Sequence, residues 1–215
     1  MKKMVGLILT VIAVLSGCAQ DSGSDDQVVP VLAHPVTDTE KPNICLIGDS
    51  RVAMFPVKLF TEYDVFDYGV GGTTTDENVE ILSAIAETGV QFDAVIVSVG
   101  VNDYMGGNTV SESAANLAEC MALANSLSGR VFITTIPGCC TGGDLPINSV
   151  VAITKNTALI NARIPAIGSQ IIPLAETLCT DGYLKAEYNL DGIHYNAAGY
   201  DAVYALYMSY LKGTK

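Results

Sequence analysis

The segment Ile44-Cys45-Leu46-Ile47-Gly48-Asp49-Ser50-Arg51 decides how this chain is read. Four apolar residues run into a Gly-Asp-Ser turn. Such a run reads as a strand buried on both faces, the pattern of a parallel sheet. Val52 to Leu59 follow with the spacing of a short helix. Ser50 then stands at a strand-to-helix turn on the carboxyl edge of a sheet, where open α/β sheets place their ligands. Free backbone N–H groups at the helix start can meet a developing anion there. A serine in that place is a helix cap or a nucleophile. Which one it is depends on whether the rest of the chain supplies partners.

Downstream, the same alternation repeats. Tyr63 to Tyr68 reads as a second strand and runs into the Gly- and Thr-rich turn Gly69-Val70-Gly71-Gly72-Thr73-Thr74-Thr75. Val79, Leu82 and Ile85 have helical spacing, with Gly89 as the C-cap. Phe92 to Val99 is a third buried strand, ending in Gly100-Val101-Asn102-Asp103. Ser111 is placed to cap a helix carrying Leu117, Cys120, Met121, Ala124 and Leu127 at a 3.6 period. Strands at Val131–Ile136 and Gln170–Leu174, a helix at Val150–Ile164 and a closing helix at Ala197–Leu211 complete the chain. Tyr200, Val203, Tyr207 and Leu211 line one face of the last helix and read as core. Strands alternating with helices predict a three-layer α/β/α sandwich around a mostly parallel five-stranded sheet.

The 215 residues suit one domain. The net charge of −12, with no Lys/Arg cluster beyond the first three residues, argues against nucleic acid or anionic headgroups as electrostatic partners. Lys2 and Lys3 precede an apolar run from Met4 to Leu15, too short to span a bilayer comfortably. It ends in Leu15-Ser16-Gly17-Cys18, which resembles the bacterial lipoprotein lipobox. That resemblance implies a signal peptide over 1–18, with Cys18 lipidated as the first mature residue. It also implies a cell-envelope location, at the outer membrane in a Gram-negative cell because Ala19 follows the cysteine. Residues 19–42 are small, polar and punctuated by Pro30, Pro35 and Pro42, the composition of a tether; His34 falls in it as a solvated residue. The folded domain is expected over 43–215. Cys45 reads as a buried thiol, and a bridge from Cys139 or Cys140 to Cys179 is expected for an exported chain. With one histidine in the domain, a metal site is poorly supported.

Three strand ends therefore open on one sheet edge: Gly48-Asp49-Ser50, Gly69 to Gly72, and Gly100 to Asp103. A fourth cluster, Asp191-Gly192-Ile193-His194, precedes the last helix. A serine hydroxyl needs a base within hydrogen-bond reach, here His194 or a lysine. A carboxylate three residues before the histidine can bend back to Nδ1–H, and Asp191 fits that role. The Ser50 backbone N–H, a glycine N–H in the 69–72 turn and the Asn102 amide could converge on an oxyanion.

These clusters resemble, in order, the sequence blocks of the GDSL esterase/lipase superfamily, the SGNH hydrolases. Ile47-Gly48-Asp49-Ser50 matches the first block, Gly72 the second, Gly100-Val101-Asn102-Asp103 the third and Asp191-Gly192-Ile193-His194 the fifth. The resemblance spans 43–212. It implies a flavodoxin-like fold and a cofactor-free serine ester hydrolase. In it Ser50 is the nucleophile, His194 the base, Asp191 its acid, and Ser50, Gly72 and Asn102 the oxyanion donors. The implied substrates are small-molecule esters of small to medium acyl groups, with acylated carbohydrate or lysophospholipid among them. The alternative from another class is a non-catalytic ligand-binding envelope lipoprotein on the same fold. Arg51 replaces the family's leucine, and Asp67 the asparagine that opens its second block. Arg51 is expected to pair with an acid or to touch the acyl pocket. Asp49 and Asp103 are expected to be structural, and Tyr195 and the 138–149 loop to line the pocket.

Overall fold

Alternate residues of the first strand, β1 (Asn43–Gly48), go to opposite sides of the sheet. Ile44 and Leu46 enter one core; Cys45 and Ile47 enter the other. The period of two and the unbroken apolar run thus have one cause, a strand covered on both faces. The computed structural model describes residues 40–168 and 170–213. The targeting segment, Cys18, His34 and nearly all of the tether lie outside the described residues.

From β1 the chain passes through α1 (Ser50–Ala53), β2 (Asp64–Gly69), α2 (Thr75–Glu87), β3 (Ala94–Ser98), α3 (Asp103–Gly106), α4 (Val110–Leu127) and β4 (Val131–Thr134). Then come α5 (Ile147–Asn161), α6 (Ile164–Ile167), β5 (Ile171–Ile172), α7 (Leu174–Leu178), β6 (Cys179–Thr180), β7 (Tyr183–Leu184) and α8 (Ala197–Leu211). The main sheet has the order β2-β1-β3-β4-β5, and every neighbouring pair is parallel. The expected five-stranded α/β fold is the one observed. On one face α2, α4 and α5 bury Leu82, Leu117 and Ile153 against Cys45, Ile47 and Val97. On the other, α8 packs Val203, Tyr207 and Leu211 with Phe55 and Phe60. The α8 tyrosines are core: Tyr200 meets Phe55 edge-on at 5.6 Å, and Tyr207 stacks on it at 5.9 Å.

Several element boundaries differ from those expected. The helix after β1 is a single turn, followed by a 3₁₀ turn at Val57–Leu59, because Pro56 cannot continue it. The cap of α4 is Thr109, not Ser111. Glu112 reaches back to the Thr109 N–H at 2.8 Å while its own N–H donates to Thr109 Oγ1 at 3.3 Å, a capping box. Helix α5 begins at Ile147, straight after Pro146, and stops at Asn161. The short elements α3, α7 and the β6–β7 hairpin carry too little periodicity to be read from sequence. The five described cysteines are free thiols, so the bridge expected from Cys139 or Cys140 to Cys179 is absent. Cys45, Cys120, Cys139 and Cys140 are buried as small apolar side chains.

Candidate active site

Ser50 opens α1, and the turn before it is fixed from below. Asp49 is the N-cap, accepting the Arg51 N–H at 2.9 Å and also the Gly100 N–H. Its carboxylate is buried. Burial pushes its pKa up, and the Arg51 charge and these N–H groups pull against that. Asp49 therefore holds the turn to the β3 end, the structural part expected of it.

The histidine arrives from 144 residues away. His194 Nε2 lies 2.8 Å from Ser50 Oγ. Its Nδ1 lies 2.6 Å from Asp191 Oδ2. The other oxygen, Asp191 Oδ1, accepts the backbone N–H of Ile193 at 3.0 Å and of His194 at 2.9 Å. One short loop thus sets both acid and base. Partial burial works to raise the Asp191 pKa, but the His194 ring and the two backbone donors win and draw it down to about 2. An ionised Asp191 accepts, so Nδ1 carries the proton and Nε2 turns its lone pair to the serine.

Two neighbouring segments brace that loop. Asn189 Oδ1 accepts the Gly192 N–H at 2.6 Å. The Cys140 N–H donates to Gly192 O and the Asp144 N–H to Asp191 O, both at 2.8 Å. Gly143 packs so closely that a Cβ there would sit 2.2 Å from Gly192 Cα and 2.3 Å from Asp191 O.

The second and third strand-end clusters meet beside the serine. A Cβ on Gly71 would lie 4.0 Å from Ser50 Cβ, so this turn borders the hydroxyl. Gly72 has φ +84°, a backbone that favours glycine. Asn102 Nδ2 donates to Thr73 O at 3.0 Å. Asp103 accepts the Thr75 N–H at 2.9 Å and the Thr75 hydroxyl at 2.8 Å, anchoring the turn to the third cluster. The structure therefore brings Ser50, His194, Asp191, the Gly72 turn and Asn102 into one place. Among the described residues no cluster of His, Cys, Asp and Glu could hold a metal ion.

Two expectations about the pocket are corrected. Tyr195 does not line it: the ring is 4 % exposed and lies under Arg51, whose guanidinium carbon is 4.9 Å from the ring centroid. Arg51 pairs directly with no acid and is too covered to touch an acyl group: it is 5 % exposed and donates to three backbone carbonyls. Of the 138–149 loop, Cys139 and Cys140 are buried, whereas Ile147 at its end is 57 % exposed. The cavity behind the turn, lined by Asp49, Arg51, Ser98, Thr134 and Tyr195, measures about 10 Å³, the size of a water site and too small for an ester. Gly143, Asn189, Thr73 and Thr75 were not foreseen. Each acts through a backbone approach or a hydrogen bond between segments, and no local pattern signals that.

Comparison with known proteins fits this geometry. The GDSL-like Lipase/Acylhydrolase family matches residues 46–202. The chain is 23 % identical over 199 residues to the human platelet-activating factor acetylhydrolase IB subunit alpha2, covering 87 % of this chain and 85 % of that one. Among solved structures, a protein from Streptococcus pneumonia described as a platelet activating factor is similar with a TM-score of 0.69 and 24 % identity, over 81 % of this chain and 86 % of that one. A GDSL-like lipase from Bacteroides thetaiotaomicron gives 0.66 at 18 % identity, over 87 % and 95 %. A carbohydrate acetylesterase from Sinorhizobium meliloti gives 0.63 at 14 % identity, over 81 % and 100 %. The family match runs from β1 into α8 and takes in the three strand-end clusters and the Asp191–His194 cluster: the chain belongs to the GDSL-like lipase/acylhydrolase family and is a carboxylic ester hydrolase.

Proposed function

We propose that the ester is cleaved through an acyl-enzyme on Ser50. The observation that carries this reading is the unbroken chain from Ser50 Oγ through the His194 ring to Asp191, at 2.8 and 2.6 Å. His194 takes the hydroxyl proton as Ser50 attacks the acyl carbonyl, and Asp191 stabilises the imidazolium. The backbone N–H groups of Ser50 and Gly72 and the Asn102 amide receive the oxyanion. His194 then protonates the leaving alkoxide. Water, deprotonated by the same ring, releases the acid and restores the serine. The steps require no metal or cofactor.

The substrate class proposed is esters of small to medium acyl groups, acylated carbohydrate and lysophospholipid included. Tyr104 and Met105, just after Asn102, and Ile147 and Val151 on α5 are exposed apolar side chains. Helices α3 and α5 are in contact, so these side chains can offer an acyl group an apolar wall. Two of the similar proteins carry acetyl in their names, which favours the short end of that range. We also propose that the chain is an envelope lipoprotein anchored through Cys18, on the sequence of residues 1–18; metabolic labelling with palmitate, lost in Cys18→Ser, tests that.

The test of the activity is hydrolysis of p-nitrophenyl acetate, butyrate and octanoate by wild type, Ser50→Ala and His194→Ala lacking residues 1–18. Loss of turnover by a factor on the order of 10⁴ or more in both folded variants is expected. Turnover that survives Ser50→Ala would remove Ser50 from the mechanism. A wild type that neither hydrolyses any of the three nor takes a fluorophosphonate label on Ser50 would favour the ligand-binding alternative.

A further inference from the structure

Arg51 is an unusual neighbour for a nucleophile. It follows Ser50 directly, yet its guanidinium is buried and satisfied by carbonyls, not by a carboxylate. Nε donates to Ile193 O at 2.9 Å, Nη1 to Pro137 O at 2.6 Å and Nη2 to Gly138 O at 3.0 Å. The Tyr195 ring supports its lower face. Tyr200 Oη donates to the Arg51 backbone carbonyl at 3.2 Å, tying the same turn to α8. A leucine could fill much of this space without burying a charge. What a leucine cannot do is hold two separate segments at once. A planar fork with five donors in fixed directions can.

The segments it holds are those that position the base. Ile193 immediately precedes His194. Pro137 and Gly138 lead into the segment that, through the Cys140 and Asp144 N–H groups, braces Gly192 and Asp191. Asp191 and His194 are fixed to each other locally, so their pairing does not depend on Arg51. The distance from His194 to Ser50 joins two segments far apart in sequence, and Arg51 spans that gap directly. We infer that Arg51 is a positioning residue, whose guanidinium latches the histidine loop to the nucleophile turn and so sets the Ser50–His194 separation. The inference rests on the reading of Ser50 and His194 as nucleophile and base. Displacing a base by about 1 Å is enough to cost on the order of 10² in rate.

The experiment compares wild type, Arg51→Leu, Arg51→Lys and Arg51→Ala, each checked for folding by near-ultraviolet circular dichroism. Two readouts are taken: kcat and KM on p-nitrophenyl acetate, and the His194 imidazole resonances by nuclear magnetic resonance. The chain has only two histidines, so a His34→Gln background leaves one ring to follow. Folded Arg51→Leu and Arg51→Lys are expected to lose about 10² in kcat with KM little changed, and to show displaced His194 resonances. Free guanidinium, well below denaturing concentration, is expected to restore both readouts to Arg51→Ala in a saturable way, where sodium chloride at equal ionic strength does not. Should the leucine and lysine variants fail to fold, this rescue decides alone. Wild-type kcat with unmoved His194 resonances in any folded variant overturns the inference, and so does an inactive Arg51→Ala that guanidinium leaves inactive. A wild type without esterase activity would count against the ester-hydrolase reading; the His194 resonances would still decide whether Arg51 positions the loop.

Discussion

Asn102 donates one hydrogen of its side-chain amide to the carbonyl of Thr73, 29 residues away, at 3.0 Å. That bond fixes the plane of the amide. It leaves the second hydrogen for the oxyanion in the proposed mechanism. Asn102→Ala is expected to lower kcat on p-nitrophenyl acetate by on the order of 10²–10³, with KM changed far less. Steady-state kinetics on the folded variant check it. A loss in KM alone would mean that Asn102 binds substrate without favouring the transition state.

Asp191→Asn keeps an acceptor for the backbone N–H groups but favours the wrong tautomer of His194. A fall in kcat of about 10⁴ is expected. The same carboxylate gives a signed prediction with pH. Its pKa is depressed in the folded chain from an ordinary 3.8 to about 2. A depressed acid contributes stability above its unfolded pKa, and that contribution fades as pH falls through the folded value. The wild type should therefore exceed Asp191→Asn in unfolding free energy at pH 5, with the gap closing between about pH 4 and pH 2. Denaturant titrations of both proteins across that range measure it.

Gly143→Ala places a methyl where Gly192 Cα and Asp191 O already stand. Both obstacles are backbone, so one loop must retreat. About 3 kcal/mol of stability is expected to go, together with a fall in kcat, since the retreating loop carries the acid and base. Thermal and urea unfolding read the first effect; kinetics below the new midpoint read the second. An alanine variant with unchanged Tm would show that the two loops do not meet so closely in solution.

The five described thiols divide into four buried and one half-buried, Cys179. Burial pushes the Cys120 thiol up to about 12 and raises those of Cys45, Cys139 and Cys179 as well. A protonated, covered thiol is a poor nucleophile. In the folded protein, titration with Ellman's reagent at pH 7.5 should modify Cys179 first and slowly, and the buried four only after denaturant is added. Rapid reaction of Cys45 in the absence of denaturant would mean that β1 opens easily.

The centre of the sheet was legible because β1, β3 and β4 each carry an unbroken apolar run, and Ile44 to Ile47 can satisfy that pattern only when covered on both faces; the edge strand β2, with Asp64 and Asp67, does not share it. The residues of the candidate site were legible for a related reason. Ser50, Gly72 and Asn102 each fall within four residues of a strand end, and Asp191 and His194 lie within four residues of each other. What stayed hidden depends on distance in space. Nothing near Arg51 in the sequence announces Ile193 O or Pro137 O, and nothing near Gly143 announces Gly192. Adjacency to His194 does not bring Tyr195 to the pocket, because its ring turns inward beneath the Arg51 guanidinium, a contact set by the fold and not by neighbouring residues. The cap of α4 slipped by two residues because Ser111 and Thr109 both suit the role. Only Thr109 has a glutamate three positions on.

Because Asp191 and His194 are set against each other by one loop, that pair behaves as a self-contained cassette. Its alignment with Ser50 is then a separate matter, carried by the contacts that Arg51, Cys140 and Asp144 make to the same loop. Such a cassette could be transplanted as a unit, provided that the receiving scaffold supplies a dock for it.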